Sequence, residues 1–138
     1  MANALGSCIA VILYDIERKI GGVAHIMLPG KAPKKINDYR YAENGVKEIL
    51  SEMLKKGAHK HTMIACLIGA GNVLKRNDDT ICDSNIRSVH AALASAGIAV
   101  EKEVLGGNER RRARMEIESG KIYYSENGYN EEVLWDGK

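Results

Sequence analysis

The chain has 138 residues, of which 45% are hydrophobic and 28% are charged. These proportions are typical of a globular protein, and the length suits a single domain over residues 1–138 with a core of its own. The formal net charge of +2 is too small to favour binding to nucleic acid or to a membrane surface. No apolar run is long enough for insertion into a membrane, and no signal peptide is visible. The three cysteines are an odd number and have no CxxC spacing, so we expect free thiols in a cytoplasmic protein.

Two apolar segments near the start of the chain have the pattern of a β-hairpin. They cover residues 7–14 and 20–28 and are separated by a polar turn. If the loop consists of residues 15–18, the register places Cys8 directly opposite His25, with both side chains on one face of the hairpin. A slip of two residues would keep them on that face as diagonal neighbours, whereas a slip of one residue would separate them.

Cys8 and His25 are therefore candidate catalytic residues, the first as nucleophile and the second as its base. A thiol needs a neighbouring imidazole to form a thiolate near neutral pH. Gly6 and Ser7 precede the cysteine and supply backbone N–H groups that can stabilise an oxyanion. A polar histidine inside an apolar run also needs a partner. The simpler alternative is that Cys8 is a small core residue, which is the usual role of a free cysteine in an apolar strand.

The rest of the chain alternates between helical and extended patterns. Two helices are predicted, each between a polar cap and a glycine: residues 39–56 after a cap at Asn37 or Asp38, and a second from a cap at Asp83 or Ser84 to Ala96. Further strands are predicted at residues 63–68, 98–105, 110–118 and 121–124, with residues 133–135 as a last edge strand or a docking tail. Hairpins at both ends favour an α+β domain, with two main helices packed on a layered mixed or antiparallel β-sheet.

The motifs that contain Cys8 and His25 resemble those of a known family. Leu5-Gly-Ser-Cys8 followed by Gly22-Val-Ala-His25-Ile-Met-Leu-Pro29 looks like the signature of the CheD family, the chemoreceptor glutamine deamidases of bacterial and archaeal chemotaxis. Near the other end, Gly106-Gly-Asn-Glu-Arg-Arg111 and then Glu118-Ser-Gly-Lys121 resemble the second motif of that family. Asn85, interpreted as preceding a helical run, also fits the family pattern, although no role is assigned to it. The resemblance covers roughly residues 3–124, and it points to the same fold class.

This resemblance implies an activity, partners and further site residues. The activity is that of a cysteine hydrolase that converts selected glutamines on the cytoplasmic helices of chemoreceptors to glutamate, without a metal or an organic cofactor. A CheC-type phosphatase is the implied regulatory partner, and it would be engaged near Val73 and Leu74. Arg111, which falls on the inward-facing parity of its strand, would be a pocket residue together with Gly6 and Ser7.

The chain departs from the family pattern at one position. Family members carry a threonine six residues before the cysteine, where it orients the histidine, and this chain has Ala2 there. Their N-terminus is also longer, so we expect this one to be truncated or to have lost the third group. Two other functions remain open. One is a non-catalytic module that regulates the receptor or the phosphatase by occupancy, and the other is a similar cysteine hydrolase that acts on a different amide.

Overall fold

Two α-helices and eight strands form the part of the chain that the computed structural model describes, which is residues 2–5, 7–33, 37–73, 81–128 and 130–137. In chain order they are β1 (Ala2–Leu5), β2 (Ile9–Asp15), β3 (Ile20–Ile26), α1 (Ala42–Lys55), β4 (Met63–Gly69), α2 (Ile81–Ala96), β5 (Ala99–Leu105), β6 (Arg111–Met115), β7 (Ile122–Glu126) and β8 (Glu132–Trp135). A single 3-10 turn, Lys60–Thr62, precedes β4. Neither α-helix in these ranges is long and apolar enough to cross a lipid bilayer.

The strands form two sheets that share a core. The mixed sheet has the order β3-β2-β4-β5, with β4 parallel to β5, and the antiparallel sheet has the order β1-β6-β7-β8. Alternate residues of β2 point to opposite sides, because side chains alternate along a strand. On one side Ile9, Val11 and Leu13 pack with the helices, and on the other side Ala10, Ile12 and Tyr14 pack with the antiparallel sheet. The result is three layers, and it confirms the predicted α+β class with two helices on a layered sheet structure.

The predicted beginning of the first helix is wrong by three residues. The helix begins at Ala42, and its N-cap position is Tyr41, which makes no capping hydrogen bond with its side chain. Of the two predicted caps, Asp38 has a different partner. Its carboxylate accepts hydrogen bonds from the backbone N–H and the guanidinium of Arg40. The turn before the helix therefore uses the carboxylate that a capping bond would have needed.

The second helix begins earlier than predicted. It starts at Ile81, so the two predicted caps, Asp83 and Ser84, lie inside its first turn. Asn85 consequently lies within the helix rather than before it. The apolar segment near the C-terminus forms β8, an edge strand of the antiparallel sheet, so of its two predicted roles the edge strand is confirmed.

The β2–β3 hairpin forms as predicted, but its register is shifted by two residues. Ala10 pairs with His25 and Asp15 pairs with Ile20. The loop covers residues 16–19, because the side chain of Asp15 is buried and its carboxylate accepts the N–H groups of the second and third loop residues. Cys8 directly precedes β2 and packs against the same core as Ala10. The shift therefore leaves Cys8 and His25 on one face as diagonal neighbours.

Candidate active site

The two predicted catalytic residues lie at the edge of the mixed sheet, on neighbouring segments. β3 is an edge strand of this sheet, and His25 on it is exposed. Cys8 is partly buried at the beginning of β2. Diagonal neighbours on one face of an antiparallel pair have Cα atoms about 7–8 Å apart, which is within reach of long or aromatic side chains. The thiol and the imidazole can thus approach one another by side-chain rotation.

Partial burial favours the neutral form of both groups, although His25 is still exposed to solvent. It raises the pKa of the Cys8 thiol, and a hydrogen bond from the side chain of Ser7 offsets part of that rise. It lowers the pKa of the His25 imidazole. The resting pair is therefore a thiol and a neutral imidazole, and a neutral imidazole is the form that can accept a proton.

One side chain of α2 links the segments that carry Cys8 and His25. The Nδ2 group of Asn85 donates hydrogen bonds to the carbonyl oxygen of Ser7 at 3.0 Å and to that of Met27 at 3.3 Å. Ser7 directly precedes the cysteine, and Met27 lies two residues after the histidine. Asn85 is fully buried. The relative placement of the two candidate residues thus depends on a helix that is distant from both in sequence.

A solvent-open groove of about 510 Å³ runs between β3 and α1 and includes His25 in its lining. Its strand side extends from Gly21 to Met27, which corresponds to about 20 Å of extended chain. Gly21, Gly22 and Met27 border the groove on the strand side. On the helix side, Ile49 and Met53 of α1 contribute apolar lining, and Glu48 and Glu52 contribute carboxylates. A groove of this length suits a polypeptide segment, but it lies on the helix side of β3, whereas Cys8 packs on the side of the antiparallel sheet and does not line the groove.

Comparisons with known proteins show the family of the chain. The family model described as CheD chemotactic sensory transduction matches residues 27–126, which is most of the chain. This chain belongs to the CheD family. The matched range begins after Cys8 and His25, but alignments to individual CheD proteins extend further towards the N-terminus.

Three relatives illustrate the coverage. A probable chemoreceptor glutamine deamidase CheD of Chlorobium luteolum is 38% identical over 138 residues, which is 99% of this chain and 69% of the relative. One of Methanococcus maripaludis is 36% identical over 121 residues, 86% of this chain and 79% of the relative. The chemoreceptor glutamine deamidase CheD of Thermotoga maritima is 33% identical over 129 residues, 94% of this chain and 82% of the relative. The first alignment is long enough to include both candidate catalytic residues.

Arg111, which the CheD motif suggests as a pocket residue, has a buried side chain. Its Nη1 group donates hydrogen bonds to the carbonyl oxygens of Gly69, at 2.9 Å, and of Gly106, at 2.7 Å. The next residue after Gly69 donates its backbone N–H to the carbonyl of Cys8 at 2.8 Å. Arg111 is thus connected to the cysteine through the backbone of the turn that follows β4.

The other predicted site residues are Gly6, Ser7, Val73 and Leu74. Ser7 contacts the site through its backbone and its side chain, as described above. Gly6 and Leu74 lie outside the described residues. Val73 is partly buried, and the residue before it donates its N–H to the carbonyl of Gly107 at 2.8 Å. The proposed partner-binding segment therefore begins beside the second CheD motif.

Sequence reasoning did not identify the link made by Asn85, although a signal for it was present. The buried residues of α2 form one stripe along the helix: Cys82, Asn85, Val89 and Leu93. Asn85 is the polar member of that stripe, and a polar residue at a core position of an amphipathic helix needs a hydrogen-bond partner. The partners could not be named from sequence, because they are backbone carbonyls of distant segments.

Proposed function

We propose that this chain is a protein-glutamine deamidase, which hydrolyses glutamine side chains of chemoreceptors to glutamate and releases ammonia. The observation that supports the proposal is the placement of Cys8 and His25 on one face of the β2–β3 hairpin as diagonal neighbours, beside a groove whose lining includes His25 but not Cys8. Relatives that are 33–38% identical over nearly the whole chain bear the name of this activity. A cysteine nucleophile with a histidine base can hydrolyse an amide through a covalent intermediate.

In the proposed mechanism His25 accepts the proton of Cys8 as the sulfur attacks the carboxamide carbon of the glutamine side chain. Backbone N–H groups of residues 6–8 stabilise the resulting oxyanion. The imidazolium of His25 then protonates the departing ammonia, and a thioester remains on Cys8. His25 next removes a proton from water, which attacks the thioester carbon and breaks the C–S bond to release glutamate. The imidazolium then returns that proton to the leaving sulfur, which regenerates the thiol. The net reaction consumes one water and releases one ammonia for each glutamine, and it requires no cofactor.

The substrate would be a segment of a cytoplasmic receptor helix that carries the glutamine. We place the reaction in the cytoplasm, where thiols stay reduced, since Cys8, Cys66 and Cys82 form no disulfide bond in this structure. A CheC-type phosphatase is the proposed regulatory partner, engaged near Val73.

The decisive experiment is mass spectrometry of a chemoreceptor cytoplasmic fragment after incubation with this chain. We expect specific glutamines to gain the small mass that marks an amide converted to an acid. Cys8→Ala should abolish the conversion, whereas Cys66→Ala, which removes a fully buried thiol from β4, should retain it. Conversion that persists in Cys8→Ala would contradict the proposed nucleophile.

One observation favours the alternative of a non-catalytic binding module. Ala2 occupies the position of the family threonine, and it lies in β1, where it pairs with Ala113 of the antiparallel sheet. If the missing hydroxyl limits catalysis, Ala2→Thr should raise the rate of glutamine conversion. Ala4→Thr, the same change two residues along the strand, should not raise it. Binding to the receptor fragment without conversion by any of these versions would favour the binding module.

A further inference from the structure

Asn85 uses only the donor end of its side-chain amide. Both of its partners, the main-chain groups of Ser7 and Met27, present carbonyl oxygens, so only the nitrogen of the amide can face them. Its Oδ1 atom is buried and has no hydrogen-bond partner among the described residues. An apolar side chain at this position would avoid that buried acceptor and would suit the stripe formed with Val89 and Leu93. The presence of asparagine here instead indicates that its role is to donate hydrogen bonds to the two carbonyls.

The bond to Ser7 determines the direction of the N–H group of Cys8. The peptide bonds of the described residues are trans, and the C=O and N–H groups of a trans peptide point in opposite directions within one plane. Asn85 holds the carbonyl oxygen of Ser7 towards α2. The N–H of Cys8, which belongs to the same peptide, consequently points away from that helix. The carbonyl of Cys8 is held separately by the N–H of Ala70, so both peptides around the cysteine are oriented.

We propose that Asn85 is a positioning residue for the deamidation proposed above: its amide orients the Ser7–Cys8 peptide so that the N–H of Cys8 serves as an oxyanion donor. The second bond, to Met27, holds the end of β3 against the same side chain. The strand that carries His25 and the segment that carries Cys8 thus share one anchor. Asn85 contacts neither the substrate nor the reacting atoms, so it acts only through the backbone.

The test separates this role from a general role in folding. Asn85→Leu removes the donor and keeps the branching of the side chain at Cγ, and the smaller Asn85→Ala serves if the leucine variant does not fold. Val89→Ala is the matched control, because Val89 is fully buried in the same stripe of α2 but contacts the helix-side core. For each variant, folding is followed by thermal unfolding, kcat and KM by conversion of a chemoreceptor fragment, and thiol reactivity by alkylation of Cys8 with iodoacetamide.

Alkylation is informative because displacement of iodide by sulfur creates no oxyanion. We expect the Asn85 variant to lose about 10²–10³-fold in kcat, as on loss of one oxyanion donor, with KM and the alkylation rate nearly unchanged. Val89→Ala should lose stability while it retains kcat.

Two results would overturn the inference. One is a kcat in the Asn85 variant as high as in Val89→Ala, and the other is a loss of alkylation rate as large as the loss of kcat. Failure of the unsubstituted chain to convert any glutamine is a different result, which overturns the proposed function and removes the basis of this inference with it.

Discussion

Partial loss of contact with water favours the neutral forms of Cys8 and His25, and this bears on how their reactivity should depend on pH. Burial raises the pKa of the thiol and lowers that of the imidazole. In the proposed reaction the thiolate would therefore form as His25 accepts the proton, rather than exist beforehand.

The pH dependence of thiol alkylation tests this point. We expect the rate at which iodoacetamide modifies Cys8 to rise with pH, with a midpoint above the ordinary range of a cysteine thiol. His25→Gln should shift that midpoint little, because the resting thiolate is not paired with an imidazolium. For deamidation, the midpoint of the acidic limb of the pH–rate profile should lie below the ordinary histidine pKa of about 6.5, because His25 stays neutral to a lower pH. A plateau of alkylation near neutral pH that disappears in His25→Gln would contradict this description.

At the same scale, sequence reasoning selected the two candidate catalytic residues and missed the residue that connects their segments. Cys8 and His25 could be selected as candidates because each lies in a short motif within a hairpin, where the partner is near in sequence. The link through Asn85 could not be predicted, because it exists only when α2 docks beside the ends of β2 and β3. A polar residue in an apolar stripe indicates that a partner exists, but it does not identify that partner.

The β2–β3 hairpin owes its register to one buried carboxylate. Asp15 accepts hydrogen bonds from two N–H groups of its own loop, from the N–H of His59 and from the hydroxyl of Thr62, both of these at 2.8 Å. Its side chain is fully buried, and these donors lower its pKa to about 2 against the cost of burial. The sequence pattern places Asp15 in the loop because aspartate is a common turn residue. The donors at residues 59–62 make it the last residue of the strand instead, and this difference accounts for the shifted register.

We expect Asp15→Asn to lower the free energy of unfolding by about 2 kcal/mol, because the amide nitrogen would replace one acceptor and leave a buried donor unpaired. The folded pKa lies below the ordinary 3.8, so this stabilisation is present above pH 3.8 and is lost as the pH falls towards about 2. Urea unfolding at a series of pH values measures both effects. Glu17→Gln, in the same loop but with an exposed side chain, is the control and should change stability by less than about 0.5 kcal/mol. Equal losses in the two variants would refute the assigned role.

Over the whole molecule, β2 is the central strand of a three-layer arrangement, with one core on each of its faces. The fold class could be predicted because strand patterns at both ends of the chain and two helices between them allow few layer arrangements. The way in which the two sheets meet could not, because it depends on contacts between distant turns. Arg111 illustrates the difference: its alternation with Arg112 predicts an inward side chain, but not that the turns after β4 and β5 would both present carbonyls to it.

Arg111 joins the sheets at the edge nearest to Cys8, and this makes it the best place to test how the layers support the site. Arg111→Met retains much of the volume but removes the donor to Gly69 and Gly106, and we expect a loss of about 2–3 kcal/mol in the free energy of unfolding. Arg112→Met, on the exposed face of the same strand, should cost less than about 0.5 kcal/mol. Urea unfolding of both variants measures the difference. Because the turn after β4 also holds the carbonyl of Cys8, the Arg111 variant should in addition alter the alkylation rate of that thiol, which Arg112→Met should leave unchanged. An unchanged stability in Arg111→Met would mean that apolar packing between the sheets, rather than this arginine, holds them together.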